Sequence, residues 1–366
     1  NDLGLTMPHC LAQNHCSHWV LGGFLGGCGE RGLGSMRDTL LVGMRMLQGF
    51  SVGGEFTGSI TYATEAAALG QRGLFSSLAV AGGLAGFSLG AATAALIGWC
   101  TGEEAMTAWG WRIPFLLGAV VALVGLRLRR SMPETLPLDP ASTPLTLQGL
   151  PAALAKRLAA TARQWRLVLQ VMGLVSFANV IFYLAFVYLV DLTGQQMGRM
   201  AAANTVATLL QTLGLPFVLW GGHLADRFGL VRTNRWGTIA LLIAMPLALL
   251  IGQQGSLSTL VVALSLLLVP LMATMGAQGV LGVELVPQTQ RCAVFSIAYS
   301  LAMALCAGTA PLVATWLQVQ MKNSWLLVLY VLIYGFWAVG AVESSRRLLS
   351  PRDLEATDTT VQADPS

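Results

Sequence analysis

Arg45 and Glu55 are the two ionisable residues set well inside the long apolar stretches of this sequence, both in the run over roughly 40–63. An intramembrane charge costs at least ~2.5–3.5 kcal/mol on insertion scales, so each must face a cavity or a partner. Ten helical residues separate them by about 15 Å of rise and about 280° of rotation, so they do not pair with each other. Glu55 can hold a proton if it is buried, because desolvation raises a carboxyl pKa. An ion pair with a neighbouring helix is the plainer role for both. A second group of charges falls at the ends of apolar runs: Glu65 with Arg72, Glu284 with Arg291, and Asp226 with Arg227 and Arg232. Neutral polar residues lie deeper: Gln48, Asn179, Tyr183, Asn204, Gln211, Gln278 and Tyr299. Each can hydrogen-bond a bound molecule or an adjacent helix. No H-E-x-x-H or G-x-S-x-G stands in the sequence, and no intramembrane cluster of acids or histidines suits catalysis, so an enzyme is not expected. His9, Cys10, His15, Cys16, His18 and Cys28 match no compact zinc spacing, and neither metal nor cofactor is expected.

The elements that carry these residues must be membrane helices. The chain of 366 residues is 55% hydrophobic and 10% charged, against about 25% charged in a soluble domain. Only a helix closes all its backbone hydrogen bonds within one apolar segment of about 20 residues. Nine such runs stand at roughly 40–63, 74–99, 109–126, 167–192, 201–221, 237–252, 257–283, 293–317 and 325–342. The fold class is therefore an all-α integral membrane bundle. Gly82, Gly86 and Gly90 form a small-residue stripe expected to pack closely on a neighbouring helix. The cysteines suggest no disulfide framework.

Basic residues orient the bundle. With residue 40 outside, one side receives Arg72, the seven basic residues of 127–166, Arg227, Arg232, Arg235, Arg291, Arg346, Arg347 and Arg352. The outer loops between the runs hold only Arg112, Arg199 and Lys322. This positive-inside pattern places the C-terminus in the cytoplasm of a multi-pass inner-membrane protein. A repeat also appears: EAAALGQRG from Glu65 and ELVPQTQRC from Glu284 lie 219 residues apart. It aligns runs 1–3 with runs 7–9, leaves runs 4–6 unmatched, and suggests three further helices in front.

Arg45 to Glu55 as RMLQGFSVGGE, the EAAALGQRG loop, WGWRIPF at 109–115 and GGHLADRFGLVR at 221–232 carry a family resemblance. The chain resembles the metabolite:proton symporter branch of the major facilitator superfamily over about residues 37–345, with nine helices corresponding to helices 4–12 of twelve. Leu230 and Val231 depart from the basic pattern of the last motif, as do Val190 and Leu192 from the proline and tyrosine usual after Tyr188. The domains implied are an anomalous 1–36, disordered or a misassigned start; an incomplete N-terminal half over 37–128; a linker over 129–166; a six-helix half over 167–345; and a disordered tail over 346–366. The resemblance implies alternating-access symport of a zwitterionic osmolyte, amino acid or carboxylate with protons, by a monomer in the lipid bilayer that binds no nucleic acid. It makes Arg45 the arginine of an R-x-x-Q-G motif associated with proton transfer, with Glu55 beside it. It makes the charged helix ends a cytoplasmic gate and the neutral polar residues substrate contacts. A transport-inactive truncated fragment is the alternative. A sugar-porter-like carrier is the weaker one, because no paired glutamines surround Asn179.

Overall fold

The computed structural model describes residues 54–68, 70–105, 109–110, 112–131, 161–321 and 324–361. Arg45 and Gln48, the cysteines and histidines of 1–36 and most of the 129–166 linker lie outside the described residues. Helices account for almost all of what is described, and no strand occurs among these residues. The helices are α1 (54–66), α2 (Arg72–Ala105), α3 (Arg112–Ser131), α4 (Trp165–Met197), α5 (Met200–Phe228), α6 (Leu230–Gly252), α7 (Leu257–Leu285), α8 (Arg291–Gln320) and α9 (Ser324–Val361).

Seven of them, α2 and α4 to α9, contain segments long and apolar enough to cross a membrane. The expected run over 109–126 becomes α3, but Arg112, Arg127, Arg129 and Arg130 crowd its 20 residues, so it does not join the seven. Tight turns separate the long helices. Gly198 ends α4 in the left-handed region at φ 62°, and Gly229, at φ 94°, alone links α5 to α6. A side chain would be strained in either backbone conformation. A capping box of Ser256 and Thr259 starts α7. α9 continues to Val361, across the boundary at 346 where an irregular tail was expected.

The chain divides into two compact units that cut α2 at Gly86. One contains α2 from Phe87 and α3, with large apolar side chains such as Phe87, Leu116 and Val121 exposed. The other holds α1, the first part of α2 and α4 to α9. This division differs from a boundary near 128, because close backbone contacts tie the start of α2 to the later helices.

In that second unit α4 and α7 form the centre. Val171, Val175, Phe177, Ile181 and Leu184 on α4 are buried, as are Leu260, Leu264, Leu267 and Leu271 on α7. Glycines let backbones meet. A Cβ on Gly276 would stand 1.9 Å from the Val218 carbonyl oxygen, and one on Gly221 would stand 2.0 Å from that of Ala273. Gly73 and Gly222 meet each other in the same way, at 2.3 and 2.4 Å. Among the described residues the stripe expected to pack meets no neighbour: added Cβ atoms on Gly82, Gly86 and Gly90 would find none of them within 4 Å. The neighbouring Gly83 faces Phe56 instead. Small size permits close approach, but which face a neighbour takes is a tertiary choice.

Candidate functional site

The charged helix ends converge. Arg72, opening α2, donates to Glu284 at the end of α7 at 2.7 Å. Arg291, opening α8, donates to Glu65 at the end of α1 at 3.1 Å and lies 3.7 Å from Glu284. The principal pairs thus cross between the two copies of the repeat, whereas the spacing suggested pairs within each copy. Arg291 and Glu65 are 12% and 7% exposed, so their attraction is weakly screened. Removing one member of a buried pair typically costs about 3–5 kcal/mol, because the other charge is left without compensation.

Asp226 adds a second tie. One carboxylate oxygen accepts the Gly73 amide at 2.7 Å and the other accepts the Leu74 amide at 2.8 Å. The carboxylate therefore caps α2, where orphan donors and the helix dipole favour a negative charge. The Gly73–Gly222 contact makes this possible. Gly222 stands one turn before Asp226 on α5, and a side chain there would push the α2 terminus out of reach. Arg227 and Arg232 stand apart from the network: both are exposed, and neither forms an ion pair with a described residue. Arg227 lies over the ring of Phe228 instead.

A second cluster lies deeper between α1, α4 and α8. Asn179 is 2% exposed, and its Nδ2 donates to the Val175 carbonyl at 2.6 Å. Tyr299 lies near both Asn179 and Tyr183. The rings of Phe56 and Phe295 stand 5.5 and 5.9 Å from that of Tyr299. Helical winding changes on both helices nearby: Leu184–Leu189 of α4 and Met303–Ala307 of α8 are π-helical turns, a form frequent at functional sites. No proline or glycine marks either turn in the sequence, so only the structure reveals them. Thr57 and Ser296 share a 2.6 Å hydrogen bond between α1 and α8, a polar contact that the sequence reading missed.

The other polar candidates disperse. Gln278 is 3% exposed, and its Oε1 has no partner among the described residues. Gln211 donates to the Leu84 carbonyl on α2 at 3.3 Å, and Asn204 is exposed. Glu55 is also exposed. Among the described residues no His, Cys, Asp and Glu cluster could hold a metal ion.

The description of the Major Facilitator Superfamily matches residues 19–311. The chain belongs to this superfamily. It is 30% identical over 309 residues to the glycine betaine/proline/ectoine/pipecolic acid transporter OusA of Dickeya dadantii, covering 82% of this chain and 61% of that protein. It is 29% identical over 299 residues to the alpha-ketoglutarate permease of Escherichia coli K12, covering 79% and 66%. It is 30% identical over 287 residues to the citrate-proton symporter of Klebsiella pneumoniae, covering 75% and 61%. The chain thus spans about three fifths of the length of these curated relatives. Within the superfamily its relatives place it in the metabolite:proton symporter family, as its motifs imply.

Proposed function

We propose that this protein is a proton-coupled symporter of a small organic solute, working by alternating access in the inner membrane with its C-terminus in the cytoplasm. The crossed network of Glu65, Arg72, Glu284 and Arg291 carries the reading, because its charges join the two repeat copies at one end of the bundle. With Asp226 on the α2 terminus, it acts as a cytoplasmic gate that holds the inward side closed and breaks as the repeats rock apart. Asn179, Tyr183 and Tyr299 receive the solute, with Phe56 against the Tyr299 ring. Arg45 and Glu55 serve proton coupling.

The solute class follows from the cluster and from the relatives. Asn179, Tyr183 and Tyr299 offer neutral donors and acceptors and aromatic faces, which suit a zwitterion such as betaine or proline better than a trianion. The relatives named for betaine and proline favour the same class, and those named for 2-oxoglutarate and citrate keep carboxylates in range. Proteoliposomes carrying an imposed proton gradient provide the test. Saturable, uncoupler-sensitive accumulation of one of these solutes is expected. Uptake that ignores the gradient would overturn proton coupling, and failure to take up any of the four would overturn the transport reading for this chain.

A further inference from the structure

Two hollows flank α4 at the surface, one against α9 and one against α8, and no residue of the polar cluster or the ion network lines either. The first, of about 330 Å3, is lined by Arg166, Gln170, Trp337 and Ser344 among others. The second, of about 610 Å3, is almost wholly apolar and is lined by Trp165, Met172, Ile297, Leu301 and Leu305 among others. Leu169 lines both, so the hollows adjoin at this side chain.

Their placement along the helices is ordered. Trp165 and Arg166 open α4, Ser344 lies twenty residues into α9, and Gln170 donates to Ser345 at 3.0 Å. The side chains of Gln164 and Gln290 join the starts of α4 and α8. The polar hollow therefore sits at the same end of the bundle as Arg291. From there the apolar hollow follows α8 from Ile297 to Leu305, a rise of about 12 Å toward the middle of the helix.

Charge distinguishes this groove from an ordinary lipid-facing surface. Arg166 is exposed, forms no ion pair with a described residue, and holds its guanidinium 5.6 Å from the Trp165 ring centroid, at the junction of the two hollows. Glu343, beside Ser344, is engaged by Arg235 at 3.5 Å and Arg346 at 3.8 Å, which offsets its repulsion of an anion. A cation, an aromatic ring at the interface and an adjoining apolar hollow match an amphiphile with an anionic head.

We propose that this groove binds one anionic phospholipid, its phosphate on Arg166 and one acyl chain along Leu169, Met172, Leu301 and Leu305. The site is separate from solute binding and stands or falls independently of the transported substrate.

Native mass spectrometry of the purified full chain tests it, titrating phosphatidylglycerol and phosphatidylcholine with identical acyl chains. The wild type should retain one phosphatidylglycerol in preference to phosphatidylcholine. Arg166→Gln should reduce that preference about fivefold, the effect expected of one basic residue against an anionic head. Leu301→Trp should weaken both lipids by filling the apolar hollow. Arg227→Gln, which removes an exposed arginine outside the groove, should leave the preference unchanged. Equal retention of the two lipids by the wild type would overturn the proposal, as would a preference that survives Arg166→Gln. An equal loss in Arg227→Gln would assign the preference to diffuse charge and also overturn it. Displacement of the lipid by inorganic phosphate would show a free-anion site instead.

Discussion

Asp226 shows how much one carboxylate can organise, since both its oxygens are committed to the first amides of α2. Asp226→Asn keeps one acceptor but removes the charge that the helix terminus favours. It should lower stability by about 0.5–2 kcal/mol, the range for a lost helix cap, read as an earlier thermal transition of the purified protein. The ion network permits a stricter measurement. Glu65→Gln and Arg291→Gln each leave a partner uncompensated, so the double variant should lose less stability than the two single losses added together. A coupling energy of about 0.5–3 kcal/mol is expected from that cycle, and strict additivity would mean the 3.1 Å pair contributes nothing. At the proposed proton path, Arg45→Ala and Glu55→Gln should each abolish gradient-driven accumulation. Normal uphill uptake in both would make these charges structural.

Helix packing separates two kinds of glycine that look alike in sequence. Gly276 and Gly222 lie against neighbouring backbone or side chains closer than any Cβ tolerates, whereas Gly82 and Gly86 meet no neighbour among the described residues. Gly276→Ala and Gly222→Ala should therefore depress folded yield, because α5 must move from α7 in the first and from α2 in the second. Gly82→Ala and Gly86→Ala should be neutral, or stabilising by about 0.4–1 kcal/mol, since alanine restricts the unfolded chain without a clash. Yield and melting temperature of the four variants in parallel make the comparison. A reversed order would show that α2 packs through the stripe read from the sequence. The π-helical turns belong to this scale too. They follow the Asn179–Tyr183 segment on α4 and the Tyr299 segment on α8, and they alter which residues after them face inward.

For the molecule as a whole, the proposed orientation makes a direct forecast. A reporter fused after Arg352 should read cytoplasmic, and one inserted near Glu103 should read periplasmic. The opposite pair of results would invert the bundle and move the charge network to the outer face. The network also bears on the transport cycle. If it gates the inward side, variants that break it should leave that side open more often, raising labelling of a cysteine introduced near the cytoplasmic end of α5. Unchanged labelling would confine the network to a structural role. Its contacts span a chain distance of more than two hundred residues, as in Arg72 to Glu284 and Glu65 to Arg291.

The sequence by itself determined the class of the molecule. Apolar runs of bilayer length with few charges admit only membrane helices, because backbone groups must be satisfied within each segment. Periodic spacing also exposed the two Glu-x6-Arg copies, and the composition of their loops put them at helix ends. Pairing could not be read the same way. Glu65 and Arg291 meet because α1 and α8 are neighbours in space, and no local spacing encodes that adjacency. The same holds for the polar residues. Asn179, Tyr183, Asn204, Gln211, Gln278 and Tyr299 have comparable settings in sequence, yet the fold gathers Asn179, Tyr183 and Tyr299 and leaves Asn204 exposed. Hydropathy measures how much a segment avoids water, whereas the facing of each side chain depends on helix rotation and on backbone contacts such as Gly276 against Val218. Those contacts exist only once the helices have assembled.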